Sequence, residues 1–160
     1  MNFKSLSVIA AMLFLAACAQ KTESGANTGG AASGASTAST ATAGSREDFI
    51  QNVGDRVFFD FDRSNIKPEG QQTLQRQAAW LQKYANAKIT IEGHCDERGT
   101  REYNLALGER RATAVKRALV ALGIPAGRIS TISYGKERPA VVGSNEAAWA
   151  QNRRGVTVVQ

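Results

Sequence analysis

From residue 57 onward the hydrophobic positions follow two periods in turn. Val57, Phe59 and Phe61 alternate with Phe58, Asp60 and Asp62, a period of two that predicts a strand. Beyond Lys67 and Pro68 the period lengthens: Leu74, Ala78, Leu81 and Ala85 are spaced 4, 3 and 4 apart, one face of a helix that tolerates proline in its first turn. Ile89 to Glu92 predicts a second strand, ended by Gly93. Leu105, Gly108, Ala112, Val115, Leu119 and Leu122 recur at 3, 4, 3, 4 and 3, which predicts a long helix stopped at Gly123 with Pro125 beyond. Arg128 to Tyr134 reads as a strand, Glu146 to Ala150 as a short helix and Arg154 to Val159 as a last strand. The order β-α-β-α-β-(α)-β predicts an α/β (α+β) domain, one sheet with helices packed on it.

The beginning of the chain follows another logic. Lys4 precedes an apolar run from Leu6 to Leu15, whose ten residues rise only about 15 Å as a helix, half of a bilayer's hydrocarbon core. That predicts an export signal rather than a membrane span. Leu15, Ala16, Ala17 and Cys18 then resemble the lipobox of bacterial lipoproteins. The resemblance implies that residues 1–17 are a signal peptide, that the Cys18 thiol receives a diacylglyceryl group, and that the amine freed by cleavage is acylated. Three acyl chains make such an anchor effectively permanent, since each buried methylene adds about 0.8 kcal/mol. Ala19 stands where an Asp would resemble an inner-membrane retention signal, so the expected destination is the outer membrane.

Of the 27 residues from Ala19 to Ser45, all but Gln20, Lys21, Glu23 and Asn27 are Gly, Ala, Ser or Thr. Such a stretch buries too little apolar surface to offset its ordering entropy, so residues 18–45 are expected to be the lipidated Cys and a disordered tether. Its r.m.s. reach is on the order of 30 Å and its taut length roughly 90 Å. The tether would carry residues 46–160, a single domain.

Composition narrows the chemistry. In 160 residues, 42% are hydrophobic and 21% charged, an ordinary globular balance, while only 7% are aromatic, so the core must rest on Leu, Ile, Val and Ala. Two cysteines form no disulfide framework, and with the single histidine they make no ordinary closed zinc site. The net charge of +6 favours anionic partners without naming one. Within residues 46–160 the excess is 18 basic over 13 acidic residues, without clustered aromatics, and an exported domain meets little nucleic acid, so none is expected as a partner.

The densest polar cluster, Gly93, His94, Cys95, Asp96, Glu97, Arg98 and Gly99, then Tyr103 and Asn104, falls between the second strand and the long helix. Ligand sites of α/β sheets are commonly built there. Consecutive residues leaving a strand point to opposite faces, so His94, Cys95, Asp96 and Glu97 cannot all converge on a metal, and His94 is poorly placed to activate Cys95. A buried, unpaired Cys is the plainer account of Cys95. On the long helix Asn104, Leu107 and Arg111, spaced 3 and 4, share a stripe that Asp96 can fold back towards. An Asp and an Arg on one concave edge suit a zwitterion, the carboxylate taking an ammonium and the guanidinium a carboxylate. The same pair could equally form a salt bridge that merely ties loop to helix.

The string GHCDERGTREYNLALGERRATAV, Gly93 to Val115, resembles the signature of the OmpA-like peptidoglycan-binding domain, with VFFDFD (Val57 to Asp62) and NRR (Asn152 to Arg154) at that family's other marked segments. The resemblance spans essentially all of residues 46–160 and implies a single mixed sheet. It implies non-covalent binding, without turnover or cofactor, of the diaminopimelate residue of a peptidoglycan stem peptide. Asp96 and Arg111 map to the pair holding the ligand's amine and carboxylate; Asn104, Leu107 and Arg98 map to supporting contacts, Phe61 and Asp62 to a loop whose backbone cradles the ligand, and Arg153 to a lesser contact. Cys95 stands where many relatives have Thr or Ala. The resemblance further implies a periplasmic partner, TolB of the Tol-Pal system, competing for an overlapping face. The rival expectation is a cell-wall hydrolase using Asp96, Glu97 or Cys95, although adjacent carboxylates point apart and nothing supplies an oxyanion hole.

Overall fold

The computed structural model describes residues 41–160; the expected signal peptide, Cys18 and most of the expected tether lie outside them. In chain order the elements are α1 (Arg46–Asp48), continued by one wider turn over Phe49–Val53, β1 (Arg56–Phe58), α2 (Pro68–Lys83), β2 (Ile89–His94), α3 (Arg101–Ala121), β3 (Ile129–Gly135), α4 (Glu146–Asn152) and β4 (Arg154–Val159). The strands form one mixed sheet in the order β1-β4-β2-β3, with β2 and β3 parallel and the other pairs antiparallel. This is the predicted fold class. The parallel pair needs a crossover, which α3 supplies.

Alternation along the strands sends Val57, Ile89 and Ile91 to one side of the sheet, where Leu74, Ala78 and Leu81 of α2 and Ala112, Val115 and Leu119 of α3 complete the core with Phe49. Two glycines set how closely α3 lies on the sheet. A Cβ built on Gly93 would stand 1.9 Å from the carbonyl oxygen of Gly108, and one on Gly108 would stand 2.3 Å from Ser133 Oγ. With no side chain at either position, α3 rests directly on β2, which fixes the separation between the loop after β2 and the side chains of α3.

The domain begins slightly before Arg46. Ser45 caps α1 by accepting from the Asp48 amide at 3.1 Å, and Gly44 donates to Asp48 Oδ2 at 2.9 Å. Trp80 Nε1 on α2 donates to the same oxygen at 2.8 Å. Those hydrogen bonds, Trp80's first, hold the Asp48 carboxyl down at about 2. The last residues of the expected tether are thus fastened to α2.

Three expectations from periodicity are corrected. Ala85, expected on the buried face of α2, lies beyond its last residue, Lys83, and is exposed. The first strand ends at Phe58, not Asp62, and Phe61 is 56% exposed. The Arg63 amide donates to the Asp60 carbonyl and Asp62 adopts the left-handed conformation, φ 56°, so the chain turns off the sheet beyond Phe59. Leu105, expected on the buried stripe of the long helix, is 51% exposed. Asn104 takes the inward place because its amide finds two carbonyls there, Arg98 O at 2.7 Å and Thr100 O at 3.0 Å. The buried face of α3 therefore begins with Asn104, Leu107, Gly108 and Arg111.

Candidate functional site

The cluster after β2 forms a loop between the sheet and the start of α3. Cys95 continues the parallel pairing, its amide donating to Gly135 O at 2.8 Å, and Thr100 caps α3 by accepting from the Tyr103 amide at 3.2 Å. His94 and Cys95 diverge as alternation requires. The His94 ring packs 5.5 Å from that of Tyr134, and burial, with Arg154 next, lowers its pKa to about 4, so it is neutral. Cys95 lies on the α3 side, its Sγ 3.4 Å from Asn104 O, and burial raises its thiol to about 11 against the opposing pull of Arg111. A thiol in that state is no nucleophile near neutral pH.

Asp96 is only 3% exposed, yet it is ionised. Burial works against its charge, but the Arg98 side chain and amide, with Arg153 beyond, outweigh that and hold the carboxyl below its ordinary range. Arg98 Nη2 lies 2.6 Å from Oδ2 and its Nε 3.2 Å from Oδ1; Arg153 Nη1 lies 3.4 Å from Oδ2. Arg153 is itself pinned by Phe59 O at 3.1 Å and Glu146 Oε1 at 2.5 Å.

The salt bridge between Asp96 and Arg111 that the sequence left open does not form. Arg111 is fully buried and spends its donors on backbone: Nε on Arg63 O at 2.9 Å, Nη1 on His94 O at 2.7 Å and Nη2 on Asp60 O at 3.1 Å. Three of a guanidinium's five N–H groups are thereby used, leaving one on each terminal nitrogen. Burial lowers the pKa of Arg111, with Cys95 and Asp96 opposing.

Between these groups opens a cavity of about 180 Å³, lined by Phe61, Asp62, Asp96, Arg98, Asn104, Leu107 and Arg111. Every residue singled out for ligand contact except Arg153 is on this wall, and Arg153 stands directly behind Asp96. The volume is below the roughly 300–1,000 Å³ of sites that enclose a whole small molecule, and suits the end of one amino-acid side chain. Two carboxylates, Asp62 and Asp96, face two guanidinia, Arg98 and Arg111, so the lining is balanced in charge, as a zwitterion requires.

Two further residues belong to the site. Tyr103 lines the cavity and donates its hydroxyl to Asp62, which raises the pKa of that hydroxyl. Its signal was an aromatic inside the polar cluster, 46% exposed on the first turn of α3. Trp149 of α4 packs on Arg98, whose guanidinium carbon lies 4.0 Å from the centre of the Trp149 ring and 3.9 Å from that of the Phe61 ring. No sequence pattern ties Trp149 to a loop 50 residues upstream.

Neither carboxylate of the loop is suited to acid catalysis. Asp96 is held ionised as described, and hydrogen bonds from Ser144 and then Trp149 lower the carboxyl of Glu97 as well. A glycosidic or amide bond needs a proton donor with a pKa raised towards neutrality, the reverse of both. Among the described residues no group of three His, Cys, Asp or Glu could hold a metal ion, and no helix is long and apolar enough to cross a membrane.

Comparison with known proteins identifies the family. The model of the OmpA family matches residues 58–153. A peptidoglycan-associated lipoprotein of Agrobacterium fabrum is 55% identical over 147 residues, 92% of this chain and 82% of the relative. The peptidoglycan-associated lipoprotein of Haemophilus influenzae is 43% identical over 155 residues, 96% of this chain and 95% of the relative. Among solved structures, the peptidoglycan-associated lipoprotein from Burkholderia pseudomallei superposes with a TM-score of 0.68 at 42% identity, covering 72% of this chain and 100% of that one. The C-terminal domain of Helicobacter pylori MotB, 21% identical, shares the fold with a TM-score of 0.62 over 66% of this chain and 84% of that one. With a family model spanning α2 to α4 and the cavity, and with relatives matched over 82% and 95% of their own length, the chain belongs to the OmpA family, among its peptidoglycan-associated lipoproteins.

Proposed function

We propose that the domain binds the cell wall non-covalently, taking the free end of a diaminopimelate residue of the peptidoglycan stem peptide into the cavity between Asp96 and Arg111, and that it does no chemistry there. The observation that carries this reading is the charge-balanced cavity itself, in which Arg111 keeps one N–H on each terminal nitrogen for a carboxylate while the negative charges of Asp62 and Asp96 face the space an ammonium would take. The small volume supports recognition of one side chain rather than of a glycan. The lowered carboxyls of Asp96 and Glu97 and the raised thiol of Cys95 speak against a hydrolase.

The lipobox at Cys18 and the stretch to Ser45 extend the reading to a lipid-anchored protein of the outer membrane, its domain facing the periplasm and tying membrane to wall. Each stem-peptide contact need not be strong, because many anchored copies face one polymer at high effective concentration. TolB of the Tol-Pal system is the proposed protein partner, in envelope integrity and cell division. The exposed rings of Phe61 and Tyr103 at the cavity mouth support a partner that covers it.

The test is co-sedimentation of the full chain, purified in detergent, with purified Gram-negative wall. Wild type is expected in the pellet with no soluble wall fragments, and Asp96→Asn in the supernatant. Release of fragments, or undiminished retention of Asp96→Asn, refutes the proposal.

A further inference from the structure

The supporting role of α4 is not contained in the pair Asp96 and Arg111. Arg98 lines the cavity with its guanidinium carbon over two aromatic rings, 3.9 Å from that of Phe61 in the turn after β1 and 4.0 Å from that of Trp149 on α4. Its edge is turned to Asp96 through Nε and Nη2. Stacking fixes the plane of the guanidinium, and the two contacts to Asp96 fix its rotation within that plane. A free arginine side chain has about 2 kcal/mol of rotamer entropy, so a single orientation on a half-open mouth needs such a clamp.

Trp149 is the firmer of the two walls. Phe61 is the most exposed aromatic at the mouth, whereas Trp149 is half-buried and its indole N–H is tied to Glu97 Oε1 at 3.0 Å. Three residues before it and four after, Glu146 and Arg153 complete a line of support: Arg153 joins Glu146 to Asp96. The short helix thus backs the ligand loop along its length. Held this way, Arg98 spends two side-chain N–H groups on Asp96, and among the described residues Nη1 has no hydrogen-bond acceptor, while the residue lines the cavity.

We infer that Trp149 is a positioning residue of the binding site: with Phe61 it holds Arg98 so that one edge of the guanidinium pairs with Asp96 while the other is left to receive, with Arg111, the ligand's carboxylate. This rests on the function proposed above and adds to it a residue on α4 and a second guanidinium for the same carboxylate. Lysine in place of Arg98 could not serve, having no plate to stack and no fork to divide between two carboxylates.

The experiment is a titration of the full chain in detergent with the tripeptide L-Ala-γ-D-Glu-meso-diaminopimelate, followed by calorimetry. Trp149→Leu keeps apolar bulk and removes the ring, and Trp149→Phe restores a ring without the indole N–H. Leu at this position is expected to weaken binding about tenfold, the loss of one aromatic face over a partly shielded guanidinium, and Phe to recover most of it. In an Arg98→Ala background the same Leu substitution is expected to change nothing further. Binding of Trp149→Leu at wild-type strength, failure of Phe to rescue, or an equal loss without Arg98 overturns the inference. Wild type that fails to bind the tripeptide overturns the proposed function instead, so the two failures are distinct.

Discussion

Arg111 is built into the fold as firmly as into the site, and replacing it by Met tests this. Met keeps the unbranched apolar stem but not the guanidinium, leaving the carbonyls of Arg63, His94 and Asp60 without their partner. Asp60 and Arg63 are exposed residues whose carbonyls can turn to water, but His94 is buried and its carbonyl cannot. Orphaning a buried acceptor costs about 1–3 kcal/mol, and weaker tethering of the turn at Asp60 to Arg63 adds to that. The gain from no longer burying a charge offsets part, so the net loss is expected at about 2–4 kcal/mol. For a domain of this size that lowers Tm by roughly 8–16 °C, read by circular dichroism and checked by urea unfolding. Arg111→Lys, which can reach one carbonyl, should fall between. An Arg111→Met variant melting within about 2 °C of wild type would refute the bracing role. Binding by such variants therefore has to be measured well below their own melting points.

Gly93→Ala is expected to destabilise by about 3 kcal/mol or more, because the new Cβ meets backbone, the Gly108 carbonyl, and α3 must lift from β2; wild-type unfolding in urea would contradict this. The lift also separates Asp96 from Arg111, so binding should fall at temperatures where the variant is still folded. His94 sets a pH dependence of stability. Its pKa falls from 6.5 to about 4 on folding, so the unfolded chain binds the extra proton between those values and stability is lost as pH drops from 6.5 towards 4. His94→Leu should flatten the dependence of Tm on pH in that window, and an unchanged slope would show that His94 is not its source.

The sheet, the two long helices and the cavity wall were legible in the sequence because each rests on local periodicity or on one contiguous motif. Phe61 kept the alternation of a strand that the chain had already left: the left-handed turn at Asp62 is a tertiary outcome, braced by Arg111 on Asp60 O and Arg63 O. Leu105 fitted the apolar spacing, but the carbonyls available to Asn104 rotated the buried face of α3. Asp96 and Arg111 were correctly brought to one cavity, while their actual partners were hidden. Arg98 is two residues from Asp96 but maps only to a supporting contact with the ligand, and Arg153 is 57 residues away, where spacing carries no information. Trp149 had no signal, since a stack on Arg98 depends on where α4 docks.

The most direct test of the double-ended grip is calorimetric comparison of two tripeptides, L-Ala-γ-D-Glu-meso-diaminopimelate and the same peptide ending in L-lysine. They share the terminal ammonium and differ by the carboxylate beside it. The account predicts that the lysine peptide binds at least about 100-fold more weakly, because Arg111 and Arg98 are left without an anion. Comparable affinities would contradict it.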